Sequence, residues 1–179
     1  AGTTGLRIFD RLQGRTDIQL LTLPESERKL EASRKKMLNA ADVVFLCLPD
    51  DAAREAASWV ENPDTVVLDT STAHRTAPGW CYGFPELSPV QEAKLRQAKR
   101  IAVPGCHASG FIALVYPLIS AGLLAPDALL SCYSLTGYSG GGKKMIAEYR
   151  APERSPLLNA PRQYALGQTH KHLKEMKAV

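Results

Sequence analysis

Cysteines are scarce in this sequence, and the four that it has lie far apart, at positions 47, 81, 106 and 132. No two of them form a CxxC pair, which argues against a zinc site and against a disulfide framework. No apolar run is long enough to span a bilayer, and no secretory signal opens the chain. Lys and Arg are spread among acidic residues, without the basic stripe of a nucleic-acid surface. We therefore expect a cytoplasmic protein with no membrane and no nucleic-acid partner.

The composition is otherwise that of a globular protein. The 179 residues are 45% hydrophobic and 22% charged, with a net charge of +4, which is enough chain for a sizeable core in one or two domains. Both ends look cut, because the chain opens inside a glycine-rich turn at Ala1 and closes at Val179 directly after a polar, His-rich segment. We expect a fragment of a longer protein.

Short apolar runs alternate with helical segments over the first hundred residues. The predicted strands cover residues 17–23, 42–48, 65–69 and 101–103, and the predicted helices cover 6–12, 50–60 and 88–98, with a further one toward Met37. Asp50 or Asp51 is expected to cap the helix at 50–60, and Ser88 the helix at 88–98. The alternation predicts an α/β fold with a Rossmann-type, doubly wound parallel sheet.

The pattern changes near Pro104, where we place a domain boundary. A long apolar helix ends near Gly122, a strand is predicted over 129–136, and a flexible glycine-rich loop over 137–144. An irregular, proline-punctuated stretch follows.

Cys106 stands at the turn between a predicted strand and a long predicted helix, after Pro104 and Gly105. Free amides and the positive end of the helix dipole favour a thiolate there. Such a thiolate is a strong nucleophile, and the same amides stabilise an oxyanion on a carbonyl that it attacks. The alternative is a buried structural cysteine.

Two parts of the sequence suggest a dinucleotide. Gly2 and Gly5 fit the second and third glycines of a G-x-x-G-x-x-G loop, in which the backbone approaches a pyrophosphate at a helix start. After the predicted strand 17–23, the residues Ser26, Arg28 and Lys29 favour the 2′-phosphate of NADP. Two carboxylates in the same segment, Glu25 and Glu27, suit NAD. The third possibility is that these residues form only a solvated, charged loop.

The remaining polar candidates are Arg75 and a segment near the end of the chain. Arg75 follows the predicted strand 65–69 and can hold a phosphate or carboxylate by a bidentate fork, whereas neighbouring His74 is expected to be structural. On a helix, His172 and Glu175 share one face, and the carboxylate can orient an imidazole. Metal binding is the competing use, but His170 and His172 are two residues apart and do not share a face, so we expect no metal and favour general acid–base chemistry.

Several short motifs then occur in a recognisable order. They are Ala1–Leu6, Phe45–Pro49, Ser71–Arg75, Tyr82–Leu87, Pro104–Cys106, Gly137–Lys143 and the His170-x-His172-x-x-Glu175 run. Together they resemble the N-acetyl-γ-glutamyl-phosphate reductases of arginine biosynthesis, in their shorter bacterial form. That family lies in a wider group with aspartate-semialdehyde dehydrogenase.

The resemblance implies a Rossmann domain over residues 1–104, lacking its first strand. Residues 105–179 would then be the first part of an α+β catalytic and dimerisation domain with a mixed sheet. It also implies an enzyme, an NADP-dependent oxidoreductase that reduces a small acyl phosphate to an aldehyde through a cysteine thioester, and a homo-oligomer, a dimer or tetramer.

Site residues are implied by the same resemblance. The catalytic set is Cys106, His170, His172 and Glu175, with His170 as the acid/base. The cofactor set is Gly2, Thr3, Thr4, Gly5, Ser26, Arg28, Ser71, Ser139 and Gly140. Arg75 and Ser139 are expected to contact the phosphate, and His107 is given no role.

Two rival functions stay open at this point. Aspartate-semialdehyde dehydrogenase performs the same chemistry on a shorter substrate. A nucleotide-binding redox sensor without turnover needs a resolving partner for Cys106, and none of the other cysteines stands in a recognised resolving position.

Overall fold

The computed structural model describes residues 3–179 and, for residues 3, 4 and 6, the backbone alone. Its helices are α1 (Thr3–Leu12), α2 (Glu31–Ala40), α3 (Asp50–Ser58), α4 (Pro89–Gln97), α5 (Cys106–Ser120), α6 (Gly142–Arg150) and α7 (Lys171–Ala178). Its strands are β1 (Val43–Leu46), β2 (Val66–Asp69), β3 (Cys81–Tyr82) and β4 (Arg100–Ala102). Short 3₁₀ turns cover Pro85–Leu87, Tyr138–Gly141 and Pro156–Asn159.

The four strands form one sheet in the order β1-β2-β4-β3, and every neighbouring pair is parallel. The α/β architecture with a parallel sheet is therefore confirmed. Since parallel strands point the same way, their carboxyl ends gather at one edge of the sheet, where ligands bind in such folds. Asp69 at the end of β2, Tyr82 at the end of β3 and Ala102 at the end of β4 meet there; Asp69 and Tyr82 each pair with Ala102.

The core lies along the inner strands. Val67 of β2 is fully buried between β1 and β4, and it packs with Val44, Leu46 and residues of α3. Thr65, just before β2, is equally buried, and its hydroxyl donates to the carbonyl of Ala41 at 2.8 Å, so that its burial leaves no unpaired donor. Branched side chains suit these positions because they fill a pleated, buried surface.

One of the two predicted helix caps is confirmed. The Ser88 hydroxyl accepts from the amide of Gln91 at 3.1 Å, and Pro89 takes the first position of α4. The prediction that Asp50 or Asp51 caps α3 is wrong, because Pro49 is the capping residue and Asp50 already lies within the helix. The Asp50 carboxylate instead accepts from the amide and hydroxyl of Thr72, which ties α3 to the loop after β2.

The strand predicted over 17–23 is not formed. This segment forms no helix or strand, and its apolar side chains Ile18, Leu20 and Leu21 are exposed. Alternation of side chains makes a segment fit for a strand, but a strand also needs a neighbour to take its backbone hydrogen bonds.

The strand predicted over 129–136 is also absent, so residues 105–179 form no mixed sheet. Leu129, Tyr133 and Leu135 are almost completely exposed in an irregular segment. The loop predicted over 137–144 is shorter than expected, because α6 begins at Gly142. Gly142 has a positive φ of 72°, a backbone conformation that favours glycine. The rings of Tyr138 and Tyr149 stack at 4.9 Å and hold the two ends of this unit together.

Helix α7 lies against α5, which brings the end of the chain beside the carboxyl edge of the sheet. No helix within residues 3–179 combines the length and the apolar character needed to cross a membrane.

Candidate active site

Cys106 is the first residue of α5 and follows β4 after a three-residue connection, as the strand-to-helix prediction required. The amide of Val103 donates to the carbonyl of Asp69 at 2.8 Å, so the connection leaves the sheet beside the end of β2. Gly105 is the N-cap of α5 and has no side chain to occupy the first amides of the helix. Cys106 is exposed. The thiol thus combines access from solvent with a helix start that has free donors.

Glu175 of α7 is a buried and extensively hydrogen-bonded side chain next to the turn before Cys106. It is only 2% exposed, and its carboxylate accepts three hydrogen bonds. One comes from the guanidinium of Arg75 at 2.9 Å, one from the hydroxyl of Tyr82 at 2.7 Å, and one from the backbone amide of Gly105 at 2.7 Å. Gly105, the residue before Cys106, is therefore held by a hydrogen bond to Glu175 of α7.

Arg75 is itself held on every side of its guanidinium. Nε donates to the carbonyl of Val103 at 2.9 Å, Nη2 to the carbonyl of Thr70 at 3.3 Å, and Nη1 to Glu175. Its side chain is 8% exposed. The expected contact of Arg75 with a substrate phosphate stays a prediction, and the geometry favours a role in which Arg75 positions Glu175 and the turn before Cys106.

Tyr82 completes this network, and sequence reasoning assigned it no chemistry. Burial raises the pKa of Tyr82, and the hydrogen bond to Glu175 and the charge of Glu175 raise it further. The phenol therefore remains a donor at any physiological pH. Strand β3 has only two residues, too few to produce a readable pattern, so nothing in the sequence marks Tyr82 as a partner of Glu175.

His172 lies directly against the turn before Cys106. A Cβ built on Gly105 would lie 2.5 Å from Nη1 of Arg75 and closer still to Nε2 of His172. His172 is 7% exposed, and its Nδ1 has no hydrogen-bond partner among the described residues. Burial lowers the pKa of His172 to about 4, against the opposing effect of Glu175. His172 is therefore neutral at physiological pH.

His170 differs from His172 in exposure and in its hydrogen bond. It is the N-cap of α7, and its Nδ1 accepts from the backbone amide of His172 at 3.2 Å. Its ring stands edge-on to that of His172, with 4.5 Å between centroids. Partial burial, followed by the neighbouring His107, Lys171 and Arg75, lowers the pKa of His170. An Nδ1 that accepts an amide leaves the proton of the neutral ring on Nε2.

The buried carboxylate of Asp69 makes hydrogen bonds with the loop after β2, which carries Arg75. Nδ1 of His74 lies 2.6 Å from Oδ2 of Asp69, and the hydroxyl of Ser71 donates to the same oxygen at 2.6 Å. The ring of His74 stacks on Trp80 at 3.9 Å. His74 thus occupies the structural position expected for it, and the donors of Ser71, a predicted cofactor contact, are already used by Asp69.

The other predicted cofactor residues lie in separate parts of the structure. Gly2 falls outside the described residues. Thr3, Thr4 and Gly5 belong to α1, which begins at Thr3 and therefore earlier than predicted. Exposed Ser26 and Arg28 lie in the turn after residues 17–23, where Arg28 pairs with Glu25 at 2.6 Å. Ser139 and Gly140 lie in the exposed 3₁₀ turn before α6.

No group of three or more His, Cys, Asp or Glu side chains within the described part of the chain has an arrangement that would hold a metal ion.

The tight packing at Gly105 generates a stability prediction. Gly105→Ala places a methyl group into His172 and Arg75, and we expect the free energy of unfolding to fall by about 1–3 kcal/mol, as overpacking does. Gly110→Ala is the control, because exposed Gly110 lies in the same helix with no atom near its Cβ position; it should stabilise by about 0.5–1 kcal/mol. Urea unfolding of the full-length variants measures both, and a stabilising Gly105→Ala would contradict the packing described.

Comparison with known proteins gives matches along nearly the whole chain. N-acetyl-gamma-glutamyl-phosphate reductase 2 of Pseudomonas putida is 48% identical over 98% of this chain and 56% of its own length. Proteins named N-acetyl-gamma-glutamyl-phosphate reductase from Sinorhizobium medicae and Chelativorans sp. are 48% and 50% identical, over 98% of this chain and 57% and 56% of their own lengths. The chain thus spans a little over half the length of these relatives.

Two family models match successive parts of the chain. The model of the semialdehyde dehydrogenase dimerisation domain matches residues 106–179. The model of the semialdehyde dehydrogenase NAD binding domain matches residues 2–95, more than half of the chain. With its parallel sheet and a cysteine at the start of α5, the chain belongs to the semialdehyde dehydrogenase family.

Proposed function

We propose that the full protein is an N-acetyl-γ-glutamyl-phosphate reductase of arginine biosynthesis. It reduces N-acetyl-γ-glutamyl phosphate to N-acetylglutamate 5-semialdehyde with NADPH, through a thioester on Cys106. The observation that carries the proposal is an exposed cysteine at a helix start, next to a glycine that donates its amide to Glu175 and packs against His172. The names of the relatives supply the substrate.

In the first half-reaction the Cys106 thiolate attacks the acyl carbon of the substrate. The carbonyl oxygen takes up the electron pair and is stabilised by amides at the start of α5. When the carbonyl reforms, the bond to phosphate breaks and phosphate leaves with that electron pair. A thioester remains on Cys106, so one difficult reduction becomes two easier steps.

In the second half-reaction the thioester becomes an aldehyde. When bound, NADPH supplies the hydride that reduces the thioester carbonyl. His170, protonated by the Cys106 thiol when the thiolate forms, donates that proton to the oxygen of the resulting thiohemiacetal and takes it back as the C–S bond breaks. The aldehyde leaves, and the sulfur keeps the electron pair as a thiolate. His170 suits this task better than His172, because a pKa of about 4 makes His172 a poor proton carrier near neutral pH.

The cofactor fits the chemistry of the residues present. Arg28 is exposed in the turn after residues 17–23, and Ser26 and Lys29 are exposed in the same turn, so a cation and a hydroxyl are accessible to a 2′-phosphate. The start of α1, with Thr3, Thr4 and Gly5, offers helix amides for the pyrophosphate. Ser139 and Gly140 are proposed as further contacts.

Residues 1–104 form the dinucleotide-binding unit in this proposal, and residues 105–179 begin the catalytic and dimerisation unit. The two family matches leave only residues 96–105 between them, which supports that division. Exposed leucines on and after α5, among them Leu114 and Leu123, suit contact with a second copy. Light scattering should give the full-length protein the mass of a dimer or tetramer, and a monomer would contradict the assembly. The cytoplasmic setting stays a prediction.

The decisive variant is Cys106→Ala in the full-length protein. It removes the nucleophile, so we expect turnover to fall by roughly 10⁴-fold or more while NADPH affinity stays nearly unchanged. NADP⁺- and phosphate-dependent oxidation of N-acetylglutamate semialdehyde measures turnover. Cys132→Ala, which changes another exposed cysteine, should keep full activity. Substantial turnover in Cys106→Ala would contradict the mechanism. Faster turnover of aspartate semialdehyde than of N-acetylglutamate semialdehyde by the wild type would instead contradict the proposed substrate.

The acid–base assignment is tested by two matched variants. We expect His170→Asn to lower the rate by roughly 10²–10⁴-fold, the range for loss of a general acid or base. His172→Asn removes a buried ring that packs on Gly105, so its main effect should be a lower free energy of unfolding. The role passes to His172 if His172→Asn loses the rate and His170→Asn keeps it.

Cofactor preference is tested at the exposed turn. Replacing Arg28 and Lys29 together by Ala should weaken NADPH binding by about tenfold and leave NADH binding nearly unchanged, because only NADPH carries the 2′-phosphate. Fluorescence titration measures both affinities. Equal losses for the two cofactors would show that this turn does not read the 2′-phosphate.

A further inference from the structure

His107 follows Cys106 directly and belongs to the first turn of α5, yet the proposed mechanism gives it no task. Its ring is half-buried, and its Nδ1 shares a 2.6 Å hydrogen bond with the hydroxyl of Ser134. Ser134 belongs to the irregular segment 129–136, which is exposed throughout. The ring is therefore fixed by a residue outside its own helix.

The His107 ring completes a group of three imidazoles near the start of α5. Its centroid is 6.2 Å from that of His170, with the two ring planes at 89°, and 5.9 Å from that of His172. The rings of His170 and His172 are 4.5 Å apart. At such separations in a partly buried site, a positive charge on one ring disfavours a second on its neighbour.

The other groups that face His170 are mainly cations. Lys171 follows it in α7, and Arg75 approaches from the loop after β2. The Tyr164 ring lies 5.6 Å away, at 70° to the His170 ring. The carboxylate of Glu175 acts in the opposite direction, but it is already paired with Arg75.

The rings of His107 and His170 differ in the hydrogen bond that Nδ1 makes. Nδ1 of His170 accepts the amide of His172 at the start of α7, so a proton on that nitrogen breaks the helix cap. Nδ1 of His107 is bonded to a serine hydroxyl, which rotates to accept as readily as it donates. Protonation of His170 therefore costs a hydrogen bond that stabilises the start of α7.

We propose that His107 is a positioning residue that, held by Ser134, disfavours a charge on His170 and fixes the orientation of its ring near the start of α5, ready to take up a proton. This inference rests on the proposed function for its place in catalysis. The effect of His107 on the pKa of His170, second only to burial, acts in the same direction.

The test is a titration of His170 by NMR in the full-length protein with ¹³C-labelled histidine, the resonance being assigned with His170→Asn. In His107→Gln we expect the pKa of His170 to rise by about half to one pH unit, the size of a charge interaction over this distance. His107→Phe keeps a ring but no charge and should show the same rise. Ser134→Ala should give a smaller rise, and Ser131→Ala, in the same exposed segment, none.

Activity supplies the second readout. In His107→Gln the acidic limb of the kcat/KM profile should move to higher pH by the same amount, while the rate above pH 8 stays near the wild-type value. A His170 that titrates at the wild-type pH in both His107→Gln and His107→Phe would overturn the inference. Because the NMR titration needs no turnover, an enzyme inactive on the acyl phosphate would overturn the proposed function and leave this result standing.

Discussion

The buried carboxylate of Glu175 is the interaction on which the rest of the site depends. A charge removed from water is costly unless it is paired and fully hydrogen-bonded, and Glu175 meets a guanidinium, a phenol and a backbone amide. These donors come from the loop after β2, from β3 and from the start of α5. One side chain therefore sets the position of α7 relative to the carboxyl edge of the sheet. Loss of any single donor leaves a buried charge with too few partners.

The fixed position of α7 gives its two histidines different properties. His172 is pressed into the turn at Gly105, and burial keeps it uncharged, whereas His170 stands at the open end of the helix. Behind them the hydrogen bonds of Asp69 to His74 and Ser71 stiffen the loop that carries Arg75. The site is thus built in layers, from the sheet through Arg75 and Glu175 to the imidazoles, and each layer restricts the next.

Sequence reasoning succeeded where local chemistry decides the structure. The parallel sheet, the Ser88 cap and the position of Cys106 at a helix start all follow from short patterns within a few residues. It failed where the outcome depends on distant neighbours, as in the unpaired segments 17–23 and 129–136. The pairing of Glu175 with Arg75 and Tyr82 spans about a hundred residues, and no local pattern encodes it. His107 was given no role, and no local pattern marks its hydrogen bond to Ser134, 27 residues further along the chain.

The separation of Arg75 from Glu175 along the chain also determines when the site forms. Local helices and the parallel strands β1, β2 and β4 close shorter loops, and longer loops cost more entropy to close. The contact that locks Gly105 must wait until residue 175 has left the ribosome and α7 has docked. During synthesis, Cys106 therefore emerges before the contacts around Gly105 have formed. A chain that has not yet reached Glu175 lacks the hydrogen bond that holds Gly105 in place.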